Sequence, residues 1–375
     1  MAVLFAVLGG WWLLRDGPEP GAGGPSVAGP RSSSASAPAT TDPDPDSDPD
    51  RQTIDQLTFL DEDYGIALRL DCTTINPAGY CHRSLLDTLD GGVTWNVRGA
   101  LPASSDGYAR LLVDSSGPLA VVDENRLAAM VRSADRGATW RPVQLREGPP
   151  APAPPGAQLL TDALPNCQVG CGRLLWVDVS GATTHQVPTQ PLDGDSDLWF
   201  AAPGTADGLL TATDRAGTVA VSPDGGVSWR VTFLPVAVPP DQTLGGSVVR
   251  PSGGDRIYVF VQLEGSVGLE TTYGFRSDDA GVTWTDIGFE GRTVWIPAGV
   301  VQGELVTTNL PGGVFLSTDA GTAFTTVPET PPAMFLSQGD PGGVVLGTVF
   351  DQQGRSTYWL SRDGRGWSPL LLPTD

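Results

Sequence analysis

The chain has 375 residues, with 43 Asp and Glu against 22 basic residues, all of them arginine, and a formal charge of -21. So acidic a balance excludes non-specific nucleic-acid binding, which rests on neutralising phosphates with basic side chains. Gly (48) and Pro (34) leave little room for long helices, while 40% apolar residues and 11 Trp exclude wholesale disorder.

Residues 1–14 are an unbroken apolar and glycine run, shorter than the roughly 20 residues that cross a bilayer, with no basic residue ahead of it. Residues 1–15 are therefore expected to be part of a longer signal anchor or membrane helix, with Trp11 and Trp12 at its interface. Residues 16–53 shift to Pro, Ser, Gly and Asp and include the run Asp42-Pro-Asp-Pro-Asp-Ser-Asp-Pro-Asp50. Alternating proline and like charge keep such a run extended, so a disordered spacer is expected. A calcium site would need converging carboxylates.

From residue 54 onward, short β segments at 57–60, 66–70, 110–113, 119–122, 257–261 and 344–350 alternate with Gly, Pro and Asp, and no capped helix is evident. Cys72 and Cys81 form one sequence-near couple, Cys167 and Cys171 another. Local disulfides close the smallest loops of the three possible connectivities, and the spacings do not match the paired CxxC knuckles of a four-Cys zinc site. Disulfides imply an oxidising compartment, in agreement with the apolar amino terminus.

Within this region one pattern, Ser/Thr-x-Asp-x-Gly-x-Thr/Ser-Trp/Phe, returns six times. Its key residues are Asp90, Gly92 and Trp95; Asp135, Gly137 and Trp140; Asp224, Gly226 and Trp229; Asp279, Gly281 and Trp284; Asp319, Gly321 and Phe324; and, one residue shorter, Asp363 and Trp367. The carboxylates lie 45, 89, 55, 40 and 44 residues apart, so the second gap holds a hidden unit near residue 179, where Gly181-Ala-Thr183 survives without the Asp and Trp. Seven units of about 45 residues, each with four short strands, predict an all-β, seven-bladed β-propeller over residues 54–375. The Asp is expected to accept turn N–H bonds, the Gly to take positive φ, and the Trp to fill a seam between blades. A group repeated around a ring cannot converge on one catalytic centre.

These residues resemble the Asp-box, or BNR, repeats of the sialidase-like propeller group. The pattern Phe59-x-Asp61 to Gly65, ahead of the box at Asp90, is similar to the non-enzymatic Ycf48-type and sortilin-type propellers. The resemblance implies an exported bacterial, actinobacterial protein that acts as a binding or assembly module in the cell envelope, on its extracellular side. The alternative is a divergent exo-sialidase-like glycosidase. Its three converging arginines and Tyr–Glu pair find no motif here, although Arg69, Arg83, Arg250, Arg256, Arg276, Arg292, Tyr258 and Tyr273 supply the residue types.

His82 and His185 are the two histidines, each expected at the surface, and there is neither a phosphate loop nor a nucleophile elbow. No catalytic residue, cofactor or metal is expected. The resemblance places ligands on the face opposite the boxes, where Tyr80, Asp106, Tyr108, Glu124, Glu264 and Tyr273 are the candidate binding residues. The Pro-rich insertion 148–155 is expected to be a solvated connection. The partner is an unidentified envelope protein or glycan, met by a monomeric propeller whose membrane contact is its amino-terminal segment alone.

Overall fold

The computed structural model describes residues 52–60, 62–75, 81–101, 109–113, 119–123, 129–163, 172–192, 198–202, 205, 207–214, 217–265, 268–288, 295–309, 313–328, 330, 334–341, 344–350, 356–371 and 373. The amino-terminal segment, the linker up to residue 51 and the Cys167–Cys171 loop lie outside the described residues.

Seven sheets follow one another along the chain. The first holds β1 (Gln52–Phe59), β2 (Gly65–Ile75), β3 (Cys81–Thr88) and β4 (Asn96–Ala100). The second holds β5 (Ala109–Val113), β6 (Leu119–Asp123), β7 (Ala129–Ser133) and β8 (Arg141–Gln144). In the third are β9 (Arg146–Glu147), β10 (Leu159–Ala163), β11 (Gly172–Asp178) and β12 (Thr183–Gln186). The fourth comprises β13 (Leu198–Ala202), β14 (Leu210–Asp214), β15 (Thr218–Ser222) and β16 (Arg230–Phe233). Next come β17 (Thr243–Pro251), β18 (Ile257–Gly265), β19 (Gly268–Ser277) and β20 (Thr285–Asp286), then β21 (Trp295–Val301), β22 (Glu304–Asn309), β23 (Gly313–Ser317) and β24 (Thr325–Thr326). The last is β25 (Met334–Pro341), β26 (Val344–Phe350), β27 (Ser356–Ser361) and β28 (Ser368–Leu370).

Six of the sheets are antiparallel meanders with the strands in chain order. Their first strands line the centre, and the ring closes where β1 pairs in parallel with β25, Thr58 opposite Asp340 and Phe59 opposite Pro341. The chain is a seven-bladed β-propeller, as the repeat count predicts. The first and last blades are each drawn from one continuous stretch, so neither borrows a strand from the other end.

A blade buries both faces of its sheet only against its neighbours. The buried apolar side chains accordingly form seven clusters, one in each seam. Six contain a box aromatic: Trp95, Trp140, Trp229, Trp284, Phe324 and Trp367 each pack against the preceding blade. The seventh, between the second and third blades, has Leu145 and Ala182 instead, because the hidden unit lost its Trp.

The third blade departs from the pattern. In regular blades an apolar residue after the fourth strand donates its N–H to a third-strand carbonyl, as Leu101 does to Arg83 and Ile287 to Gly274; Val187 makes that bond to Leu174. By this criterion β11 is a third strand, β12 a fourth and β10 a second. The segment that chain order would place first, β9, lies at the outer edge, parallel to β12.

The Pro-rich insertion continues along this edge with its prolines exposed, as a solvated connection would have them, but its backbone is tied down. Donors at Arg146, Gly148 and Ala151 reach the carbonyls of Ala182, Thr184 and Gln186 (2.8–3.0 Å), and Ala153 reaches Gly225 in the next blade (2.9 Å). Proline lacks a donor and is tolerated here because the bonded N–H groups are those of residues 146, 148, 151 and 153, and the prolines fall between them.

Candidate functional site

The repeated carboxylates are consumed inside their own turns. In the first box Asp90 Oδ1 accepts from the hydroxyl of Thr88 (2.7 Å) and the N–H of Thr94 (2.9 Å), while Oδ2 accepts from the Thr94 hydroxyl (2.6 Å). The Thr88 oxygen in turn accepts from the Gly92 N–H (2.9 Å). The same bonds recur at Asp135, Asp224 and Asp279, and in part at Asp319 and Asp363.

Donors that favour the ionised carboxylate lower its pKa. The Thr94 hydroxyl, its N–H and the Thr88 hydroxyl hold Asp90 at about 2. Asp135 lies at about 2 through Thr139 and Ser133, and Asp279 at about 2 through Thr283 and Ser277. The hidden box has a carboxylate after all: Asp178 accepts from Ser180 Oγ (2.6 Å) and the Gly181 N–H (2.9 Å). It stands one position before the expected place, with a Ser-Gly pair as the signal that could have revealed it.

The residue after each of the six box carboxylates has positive φ: Gly91, Arg136, Gly225, Ala280, Ala320 and Gly364. At Gly91, Gly225, Ala280 and Ala320 the αL carbonyl meets a donor from the preceding blade. Arg230 bonds Ala280 (3.1 Å), Arg276 bonds Ala320 (2.7 Å), Arg362 bonds Gly91 (3.1 Å), and Arg132 bonds the equivalent Val179 (3.3 Å). At Gly225 the donor is the Ala153 N–H of the Pro-rich edge. Box and seam are thus one structural device.

In the regular blades the box turns and the turns from first to second strand share one rim, as the bonds from Gly91 to Asp63 and from Ala280 to Asp255 show. The hairpins from second to third strand and the connections between blades share the other rim, the expected binding face. Of the candidates there, Tyr80, Asp106, Tyr108 and Glu124 lie outside the described residues. Glu264 is exposed near the tip of the β18–β19 hairpin. β19 has ten residues where β15 has five, so by residue count this hairpin stands roughly 17 Å taller than its neighbour in the fourth blade.

Tyr273 is not a surface residue. It is buried in the seam between the fourth and fifth blades, and its hydroxyl donates to the Ala237 carbonyl (2.9 Å). Alternation along a strand shows which residues share a face, not which face meets a neighbour, and so does not place it. Cys81, at the head of β3, is disulfide-bonded. The Cys72 side chain lies outside the described residues, so the pairing rests on spacing.

Of the other arginines and tyrosines singled out in the sequence, Arg250, Arg256, Arg276 and Tyr258 come together at the box end of the fifth blade, away from the expected binding face, while Arg69 and Arg83 lie in the first blade. Arg69 is buried, donating to Ser84 Oγ (3.0 Å) and to the Pro373 carbonyl (3.1 Å). Arg83 pairs with Asp55 (3.2 Å), whose pKa burial raises against the opposing pull of Arg83. Arg256 and Arg276 share Asp278 (2.6 and 2.8 Å) beside the box of the fifth blade. Tyr258, its pKa raised by burial, packs into the seam between the fifth and sixth blades. Buried Arg250 bonds the Val249 carbonyl (3.2 Å), and Arg292 lies outside the described residues. His82 is exposed, but His185 is half-buried, stacked on Trp176 with ring centroids 4.4 Å apart.

No protein-family model matches the chain, and no curated protein matches it. Among solved structures it is similar to YCF48 bound to D1 peptide, with a TM-score of 0.50 and 17% identity over 84% of this chain and 92% of that one. YCF48 from Cyanidioschyzon merolae gives a TM-score of 0.36 and 13% identity over 86% of this chain and 85% of that one. A Penicillium chrysogenum alpha-L-arabinanase complexed with arabinobiose gives 0.42 and 14%, covering 80% and 90% respectively. At these identities the likeness is one of fold.

Proposed function

We propose that this chain is an exported propeller, tethered to the membrane through its amino-terminal segment, that acts as a binding or assembly module in the cell envelope. The observation that carries this reading is how the charged groups are used. The repeated carboxylates are locked in turns and four arginines in seams, while Arg256 and Arg276 grip the protein's own Asp278 on the box side. A hydrolase that grips a substrate carboxylate needs its arginines free and convergent on the opposite face. The tall β18–β19 hairpin and the Cys81 hairpin of the first blade rise on that face and suit recognition of an extended or branched ligand. A protein of like fold has been captured with a peptide, which makes peptides the first ligand class to try.

The test runs the full chain in detergent micelles on glycan and peptide arrays beside a fluorogenic sialoside assay. Binding without turnover is the expected outcome. Turnover lost on replacing an Arg or Tyr of the face opposite the boxes would overturn the reading in favour of a glycosidase.

A further inference from the structure

The outer strand of a blade leaves one row of N–H and C=O groups without a ladder partner, and a ring of blades multiplies such edges. Most are guarded here. β8 carries Pro142 and β28 carries Pro369, β20 and β24 have two residues each, a register shift interrupts the pairing of β3 with β4, and β9 covers the third blade. Among the described residues β16 of the fourth blade is the exception. Its four residues, Arg230–Phe233, pair with β15 in unbroken register, include no proline and end their sheet.

One bond fixes which row faces outward. Leu234 donates its N–H inward to the Gly217 carbonyl (3.3 Å), so by strand alternation Arg230 and Thr232 also bond inward, while Val231 and Phe233 turn their N–H and C=O groups out. Both are exposed, Val231 at 56% and Phe233 at 67%, with exposed Val227 and Val238 to either side. Val231 lies opposite Ala220 and so on the face turned to the third blade, and Phe233 shares that face. In a chain of charge -21, residues 225–240 hold a single charged side chain, Arg230, which is turned away to the Ala280 carbonyl (3.1 Å). An uncharged, apolar and unguarded edge marks an interaction surface.

The edge also complements itself. An antiparallel copy centred on Thr232 sets Val231 of one copy opposite Phe233 of the other, twice over. All four are outward residues, so each pair exchanges two backbone bonds, and Thr232 meets Thr232 at a position without them. Aromatic with β-branched, and Thr with Thr, are cross-strand pairs that stabilise sheets. A slip of one residue would set outward groups against inward ones.

We propose that β16 is a self-association edge, through which two copies of this chain pair antiparallel about a twofold axis at Thr232 and join two four-stranded blades into one sheet. Reversal of strand direction sets the box rim of one ring beside the opposite rim of the other, so the pair presents its two expected binding faces in opposite directions. So short an edge makes a weak, concentration-dependent dimer. Salt strengthens it by screening the repulsion between two chains of charge -21. A dimer of this kind replaces the monomer expected from the sequence.

The experiment is sedimentation velocity on the full chain in density-matched detergent micelles. Over a hundredfold range of concentration monomer should pass to dimer, at lower concentration when salt is added. Phe233→Lys, an edge charge at an exposed position, should raise the dissociation constant at least tenfold with the melting temperature kept, and Val231→Pro, which deletes one outward donor, should do the same. Thr232→Cys reports the register. Residues facing each other at such a position have Cα atoms about 4.5 Å apart, within disulfide reach. Mild oxidation should therefore link this variant into dimers, and Phe233→Cys at least tenfold less, with the unaltered chain as the control for its own four cysteines. A monomer at every concentration overturns the proposal, as does a dimer that Phe233→Lys leaves intact or a link formed at Phe233→Cys in preference to Thr232→Cys. Should the Lys and Pro variants not fold, the two cysteine variants decide.

Discussion

Arg362 in the last blade donates a hydrogen bond to the carbonyl of Gly91 in the first (3.1 Å) while its guanidinium lies 4.6 Å from the centre of the Phe59 ring. One side chain therefore joins the ring closure to both the box turn and the apolar seam beneath it. Replacing Arg362 with Ala removes a charged hydrogen bond and a cation–π contact, an expected loss of about 2–4 kcal/mol. Lys should recover less than half, since it has no planar fork to serve both partners. Urea unfolding checks this, with Arg365→Ala as control. Arg365 pairs with Glu304 on an exposed surface, and its loss should leave the urea midpoint nearly unchanged.

Two glycines with similar φ should respond differently to Ala. Gly137 (φ 85) would drive a Cβ into Leu85 of the preceding blade, whereas Gly156 (φ 74) would meet nothing within 4 Å. Gly156→Ala should carry only the left-handed penalty, about 1–2 kcal/mol. Gly137→Ala adds overpacking of about 1–3 kcal/mol. A thermal melt of each, alone and with Leu85→Ala, is diagnostic: the truncation should relieve Gly137→Ala and leave Gly156→Ala unaffected.

The box carboxylates predict an acid limb. Asp90, Asp135 and Asp279 have folded pKa values of about 2 against an ordinary 3.8. A depressed folded pKa gives stability that is fully present above the unfolded value and lost as pH falls through the folded one. Stability should therefore decline between about pH 4 and pH 2, and Asp90→Asn should flatten that slope. Denaturant midpoints at half-unit pH steps test the sign, and an unchanged slope in Asp90→Asn would falsify this role.

Trp95 is buried against Phe59, edge to face at 6.1 Å, and donates to the Gly92 carbonyl (3.1 Å). Its replacement by Ala should cost about 3–5 kcal/mol. Phe324→Ala, at a half-buried position in an equivalent seam, should cost less. Comparable losses in the two variants would mean that the Trp95 contacts add nothing to the box.

Much of the fold was legible because the signals that carry it are local. The segments 57–60, 66–70, 110–113, 119–122, 257–261 and 344–350 fall on β1, β2, β5, β6, β18 and β26, since alternation and turn residues act over a few positions. The boxes were legible for the same reason: Asp90, Gly92 and Thr94 bond within one turn.

The displaced β9 was not legible, because a choice between inner and outer edge is made by sheets far away in sequence. Arg132, Arg276 and Arg362 gave no sign of their common target, because it is a carbonyl in another blade and a carbonyl is the same in every residue. Tyr273 failed for a related reason, its partner Ala237 being fixed only once two blades meet.

The parallel closure of β1 on β25 also has a mechanical side. No strand is lent across it, so a load applied along the chain between first and last blades meets two backbone rungs, the contacts around Arg362 and Phe59, and the bonds from Ile54 to Tyr358 and from Arg69 to Pro373. Once that clasp slips, the ring becomes an open arc of separate leaves. Each leaf peeled away would release about 45 residues, roughly 160 Å of slack. Under tension between its first and last blades, this molecule would behave as a ratcheted spring with steps of nearly equal length.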